Sequence, residues 1–157
     1  MNTQAVEIVE TEVLLPEVWS LNCARLRGRL QQLLSASDAL FDVLPGLECA
    51  LSTGNLIPDL AIIPPQRYDW QQDVVHYPHP PLTVIEVLSP TQAFYLVTVK
   101  IREFYLAAGV KSAWLVVPLT QQTLLFLPDQ PVQTFSNKDT IYDPASGVKL
   151  DLSAVFQ

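Results

Sequence analysis

Apolar residues recur with two periods along this chain, and the changes of period mark its elements. From Glu17 to about Ser35, Trp19, Cys23, Leu26, Leu30, Leu33 and Leu34 fall on one face at helical spacing. Arg25, Arg27, Arg29, Gln31 and Gln32 take much of the rest; the arginines could touch phosphate and otherwise read as a solvated helix face. Glu17 near the start and the arginines further on suit the helix dipole. Leu47 to Thr53 reads as a strand, and Thr53-Gly54-Asn55 turns. Leu60 to Ile63 reads as a second strand, stopped by Pro64-Pro65, pairing with the first as a hairpin. Val84 to Leu88 is nearly all apolar and β-branched, as expected of a strand buried on both faces.

Ser89-Pro90-Thr91-Gln92 offers a cap serine, a proline at the first helical position and a glutamine three residues on. The helix it predicts runs to about Ala108, with Phe94, Val97, Ile101, Phe104, Tyr105 and Ala108 toward the core, and Gly109 closes it. Ala113 to Val117 is a further apolar strand. Strand, helix and strand across 82–117 make a βαβ-like unit. Hairpins follow. Thr123 to Leu127 and Val132 to Phe135 flank Pro128-Asp129-Gln130-Pro131, and Val148 to Leu150 is a short strand after the turn Asp143–Gly147. The expected fold is α/β, a mixed central sheet flanked by helices with C-terminal β-hairpins. Residues 66–81 form a long proline-rich loop carrying Tyr68, Trp70, His76, Tyr77 and His79. Residues 1–16 suit an exposed strand at Val6–Glu10 or a loose N-terminal arm.

The length of 157 residues fits one domain spanning 1–157, and 49% hydrophobic residues give it material for a sizeable core. No apolar run approaches the roughly 20 residues of a membrane span. The start Met1-Asn2-Thr3-Gln4 has no basic region followed by an apolar stretch, so a cytoplasmic location is expected. Cys23 and Cys49 are isolated and read as buried free thiols. A net charge of −7 opposes broad, charge-driven binding to nucleic acid, though a local basic patch can coexist with it. The apolar hairpins at 122–135 suit a covered face and hence a homodimer.

The chemistry concentrates between Pro58 and Lys100. Glu86 lies inside an apolar strand, where a carboxylate is costly unless paired or bound to metal. It sits near the carboxyl end of that strand, where sites on α/β sheets usually form. Asp59 opens the strand at Leu60. If the two strands are neighbours, both carboxylates meet at one edge, and the carbonyl of Val87 adds a third oxygen. Such donors suit Mg²⁺ or Mn²⁺. A cation there would activate water against a phosphate, with Lys100 of the following helix assisting. Taken alone, Asp59 suits a turn, Lys100 can reach solvent, and Glu86 can pair with Lys100 without a metal. His76 and His79 could assist from the loop or simply be exposed, and Trp70 and Tyr77 could stack on bases or anchor the loop.

The ordered set Pro58-Asp59, Glu86-Val87-Leu88-Ser89-Pro90, Lys100, Tyr105-Leu106-Ala107-Ala108-Gly109-Val110 and Trp114-Leu115-Val116 resembles the Uma-type restriction endonucleases of the PD-(D/E)XK nuclease superfamily. The close Gly147–Leu152 with Phe156 is similar to that family's ending. The resemblance implies a restriction-endonuclease-like core and a metal-dependent DNA endonuclease site. Asp59 and Glu86 fall at its metal positions and Lys100 at the helix-borne lysine. Leu88 stands at the superfamily's usual lysine position, and Leu96, Val99 and Val117 replace residues that are often acidic in the family. Glu17 is a weak match to an acid of the first helix. The thinned polar surroundings leave two other readings open. One is a catalytically degenerate binding or assembly module, and the other a hydrolase of a small phosphorylated substrate.

Overall fold

The computed structural model describes residues 19–36 and 40–157. The expectations at Val6–Glu10 and Glu17 lie outside them. Helix α1 is Leu21–Ser35, and it starts where Ser20 accepts the N–H of Cys23 on its side-chain oxygen at 3.2 Å. Cys23, Leu26, Leu30 and Leu34 form its buried stripe.

Six strands make the main sheet: β1 (Asp42–Pro45), β4 (Leu60–Ile63), β5 (Thr83–Val87), β6 (Ser112–Val117), β7 (Gln122–Phe126) and β8 (Gln133–Phe135), in that spatial order. Only β5 and β6 pair in parallel; the other neighbours are antiparallel. A parallel pair needs a crossover, and a helix over residues 94–108, α2, supplies it. Helix α2 begins at Phe94–Val99, widens to a π-helix over Lys100–Tyr105 and tightens to a 3₁₀ turn at Leu106–Ala108. Gly109 ends it with φ of 101°, a left-handed conformation that suits glycine. Two ribbons complete the described fold: β2 (Cys49–Leu51) with β3 (Gly54–Leu56), and β9 (Thr140–Tyr142) with β10 (Lys149–Asp151).

The alternation of side chains along the strands divides the core in two. Leu60, Ile62, Ile85, Val87, Trp114 and Val116 pack with the buried stripe of α1. Val84, Ala113 and Leu115 pack with Val97, Ile101 and Tyr105 of α2. Cys23 and Cys49 are free and buried, as expected. Among the described residues no helix is long and apolar enough to cross a membrane.

A mixed α/β fold with hairpins toward the C-terminus is observed, with several local differences. The strand at Leu60 pairs with β1 and β5, not with Leu47–Thr53, whose Cys49–Leu51 folds back on Gly54–Leu56. The tight turn through Gly54 takes up the pairing that the longer hairpin would have used. The turn at Ser89–Gln92 closes on itself: Gln92 donates its N–H to the Ser89 carbonyl (3.2 Å) and accepts the Ser89 N–H on Oε1 (2.9 Å). The helix therefore starts at Phe94 and has no side-chain cap. Phe94 and Phe104, expected in the core, are exposed.

The C-terminal ribbon is anchored through a carboxylate that reads in sequence as a turn residue. Asp143 is fully buried. Its Oδ2 accepts from Thr83 Oγ1 (2.6 Å), Ser112 Oγ (2.8 Å), Ser146 Oγ (3.0 Å) and Trp114 Nε1 (3.2 Å). Its Oδ1 accepts the Ala145 N–H at 2.9 Å. A buried charge so completely hydrogen-bonded is tolerable. It ties the ribbon to the amino ends of β5 and β6, leaving the chemistry at their carboxyl ends.

Candidate active site

Strand register brings Asp59 and Glu86 together. Leu60 lies opposite Ile85 across the antiparallel β4–β5 pair, so the next pair outward is Asp59 and Glu86. The side-chain alternation puts Glu86 with Val84 on the face covered by α2. Each acid is held by the other strand's backbone. The Asp59 N–H donates to Glu86 Oε1 at 3.0 Å, and the Val87 N–H donates to Asp59 Oδ2 at 2.6 Å. Both side chains are thereby aimed before any ligand arrives.

Lys100 comes from α2 at the point where the helix becomes π-helical. In a π-turn, residues five apart share a face. Lys100 therefore aligns with Tyr105, and its Nζ lies 5.9 Å from the Tyr105 ring centroid. The same Nζ forms an ion pair with Glu86 Oε2. Glu86 is buried, whereas Lys100 keeps partial access to solvent.

The electrostatics show a site short of positive charge. Burial, and then the Glu86 charge, push Asp59 up from 3.8 to about 7; the Val87 N–H, Lys100 and Arg27 oppose the rise. The Tyr105 hydroxyl is also shifted upward, by burial first and the Glu86 charge second. It is buried and has no hydrogen-bond partner among the described residues. A divalent cation fits these observations. The donors are hard oxygens, their negative charge exceeds what Lys100 supplies, and the Tyr105 hydroxyl is left over for a group in the site. Among the described residues no three His, Cys, Asp or Glu side chains converge as a metal cluster. Two acids plus water or phosphate oxygens suit Mg²⁺, which usually retains several waters.

Other expected contributors sit elsewhere. His76 Nδ1 contacts Glu48 Oε2, and His79 packs edge-on against Tyr77 at 5.7 Å. Tyr77 anchors the long loop to β2 through backbone bonds to Glu48 and Ala50. Trp70 stacks on Tyr68 at 5.8 Å and is 90% exposed. Val87 lies at the acids themselves, and its N–H holds Asp59 Oδ2. Sequence reasoning missed two neighbours of the acids. The helical stripe marks Tyr105 only as core, and nothing in the spacing singles out Arg27 from Arg25 and Arg29.

A search of curated proteins finds no match. Among solved structures, the chain is similar to a putative nuclease belonging to DUF820 from Anabaena variabilis. The TM-score is 0.76 at 18% identity, over 90% of this chain and 83% of that one. At that identity the likeness shows the fold alone. Residues 4–153 match the profile of the Uma2 family, described as putative restriction endonuclease. The match covers nearly the whole chain, and this protein belongs to the Uma2 family.

Proposed function

We propose that this chain is a divalent-metal-dependent DNA endonuclease with its centre at Asp59, Glu86 and Lys100. The observation that carries the reading is the meeting of Glu86, buried in β5, and half-buried Asp59, just before β4, with a helix-borne lysine at the carboxyl end of β5. Asp59 and Glu86 would hold Mg²⁺ or Mn²⁺, with the Val87 carbonyl as a further oxygen donor. The cation, when bound, supplies Lewis acidity at the phosphoryl oxygens. The chain's residues do the rest. Cross-strand N–H bonds keep both acids aimed at one point, so little reorganisation is needed on binding. Asp59 gives up its proton as the site fills. Lys100 would face the phosphate and the attacking water and stabilise charge that grows in the transition state. The π-turn fixes where its ammonium lies.

Incubation of supercoiled plasmid with Mg²⁺ or Mn²⁺ tests this. Wild type should give nicked and linear products that vanish with EDTA, and Glu86→Ala and Lys100→Ala should each slow cleavage about 100-fold or more. Undiminished cleavage by an Asp59→Ala, Glu86→Ala double variant would overturn the assignment.

One observation favours a second reading. The Lys100–Glu86 ion pair already offsets one acid, and Leu96 and Val99 stand where the resemblance implies acids. A non-catalytic binding module would retain such a pair. It predicts no cleavage and no effect of Mg²⁺ on thermal stability.

A further inference from the structure

Three arginines lie at alternate positions on α1, and two of them are occupied. Arg25 Nη2 donates to the Gln157 carbonyl at 3.3 Å and Arg29 Nε to the Ala154 carbonyl at 3.0 Å, stapling the C-terminal turn to the helix. Arg27 differs. Among the described residues it makes no hydrogen bond or ion pair, although it is half-buried. Its Cζ lies over the Trp19 ring, 4.6 Å from the centroid. A guanidinium held against an aromatic face keeps its in-plane N–H donors available for another partner.

Two observations place that guanidinium at the acids. Pro45 pairs with Leu60 across β1 and β4, so the next pair outward is Gly46 and Asp59. A Cβ on Gly46 would sit 3.4 Å from Arg27 Nη2, so the arginine passes over this glycine. Its charge is also among those that act on Asp59. Arg27 thus approaches from the α1 layer, and Lys100 from the α2 layer. An arginine beside a carboxylate normally forms a forked ion pair with it. Among the described residues this one does not, which leaves its donors available at the edge of the site.

We propose that Arg27 binds a backbone phosphate of the nucleic-acid strand entering the Asp59–Glu86 centre. The inference rests on the nuclease reading and adds a strand-positioning residue to it. The phosphate would be gripped from the side opposite Lys100, by a planar donor suited to two of its oxygens. A local basic contact of this kind also lets a chain of net charge −7 engage a polyanion.

The test uses Arg27→Met, which keeps an apolar stem on Trp19, and Arg27→Lys, which keeps the charge. Fluorescence anisotropy with a labelled duplex oligonucleotide, Ca²⁺ replacing Mg²⁺, reads binding. Calorimetry with Mn²⁺ reads the metal site, and melting temperatures confirm folding. Arg27→Met should bind the duplex about 10-fold more weakly, with a salt dependence shallower by about 0.9 in log–log slope. Its Mn²⁺ affinity should stay within about twofold of wild type, and Arg27→Lys should recover part of the loss. In plasmid cleavage the defect should fall mainly on KM. Unchanged duplex affinity and salt slope in Arg27→Met would overturn the proposal while leaving the nuclease reading intact. So would a loss matched by an equal loss of Mn²⁺ affinity, which would make Arg27 a charge partner of Asp59 only. A wild-type protein that neither binds nor cleaves duplex with any divalent metal would end both.

Discussion

Asp59→Asn should make the metal-free protein more stable while removing its metal site. In wild type, burial and the neighbouring Glu86 raise Asp59 from 3.8 to about 7. The sign follows from proton linkage. Below pH 4 the group is protonated in both folded and unfolded chains, and the repulsion is absent. Between about 4 and 7 the unfolded chain loses this proton while the folded chain keeps it, so stability falls as pH rises. Above about 7 the full penalty is present. The rise corresponds to a ceiling of about 4 kcal/mol. Local relaxation and water should reduce what is measured to about 2 kcal/mol. Asparagine is neutral and can still accept the Val87 N–H, so the variant keeps the cross-strand bond and escapes the penalty. For a chain of this length the melting temperature should rise by about 4–8 °C at pH 8. The gain should shrink steadily toward pH 5. Scanning calorimetry in EDTA across that range reads it. An equal or lower melting temperature for the variant at pH 8, or a gain unaffected by pH, would refute the reasoning.

Other perturbations separate the parts of the structure. Lys100→Met should destabilise the metal-free protein by about 2–3 kcal/mol at neutral pH, because Glu86 loses its ion-pair partner; urea unfolding measures it. Tyr105→Phe should stabilise the metal-free protein by about 1 kcal/mol, since it deletes a buried hydroxyl with no partner, and a lower urea midpoint would contradict this. Asp143→Ala should cost about 3–5 kcal/mol by stranding the donors of Thr83, Ser112 and Trp114, with hydrogen exchange rising first in β9 and β10.

The acid pair was legible in sequence because a glutamate amid Val84, Ile85 and Val87 demands a reason. Its partner was legible because Asp59 opens a second apolar strand. The wider pairing was not. The strand that pairs with β4 on its far side is Asp42–Pro45, whose four residues include an acid and a proline and carry little β signal. The Leu47–Thr53 run looked better, yet the Gly54 turn folds it back on its immediate successor. The π-turn was also invisible. Val97, Ile101 and Tyr105 fit an ordinary helical stripe nearly as well, and only the exposure of Phe104 shows the changed phase. Asp143 was hidden by its neighbours, since an acid before Pro144 and near Gly147 is what a turn requires. Its buried donors, Thr83 and Ser112, stand at the starts of two apolar strands and were the one available hint. Arg27 resembled Arg25 and Arg29 in spacing, and only the fold shows that it alone approaches the acids.

The central claim, that Asp59 and Glu86 jointly hold a divalent cation, is tested most directly by Mn²⁺ titration calorimetry in buffers of different ionisation enthalpy. Wild type and Glu86→Gln would be compared at pH 6.5 and 8.5, with the metal injected into the protein alone. The account predicts binding to wild type with proton release at pH 6.5, because burial and the neighbouring Glu86 hold Asp59 well above the usual carboxylate range. Release should approach zero at pH 8.5, and binding should be lost in the variant. Equal binding by both proteins, binding without proton release at pH 6.5, or no binding to wild type would contradict it.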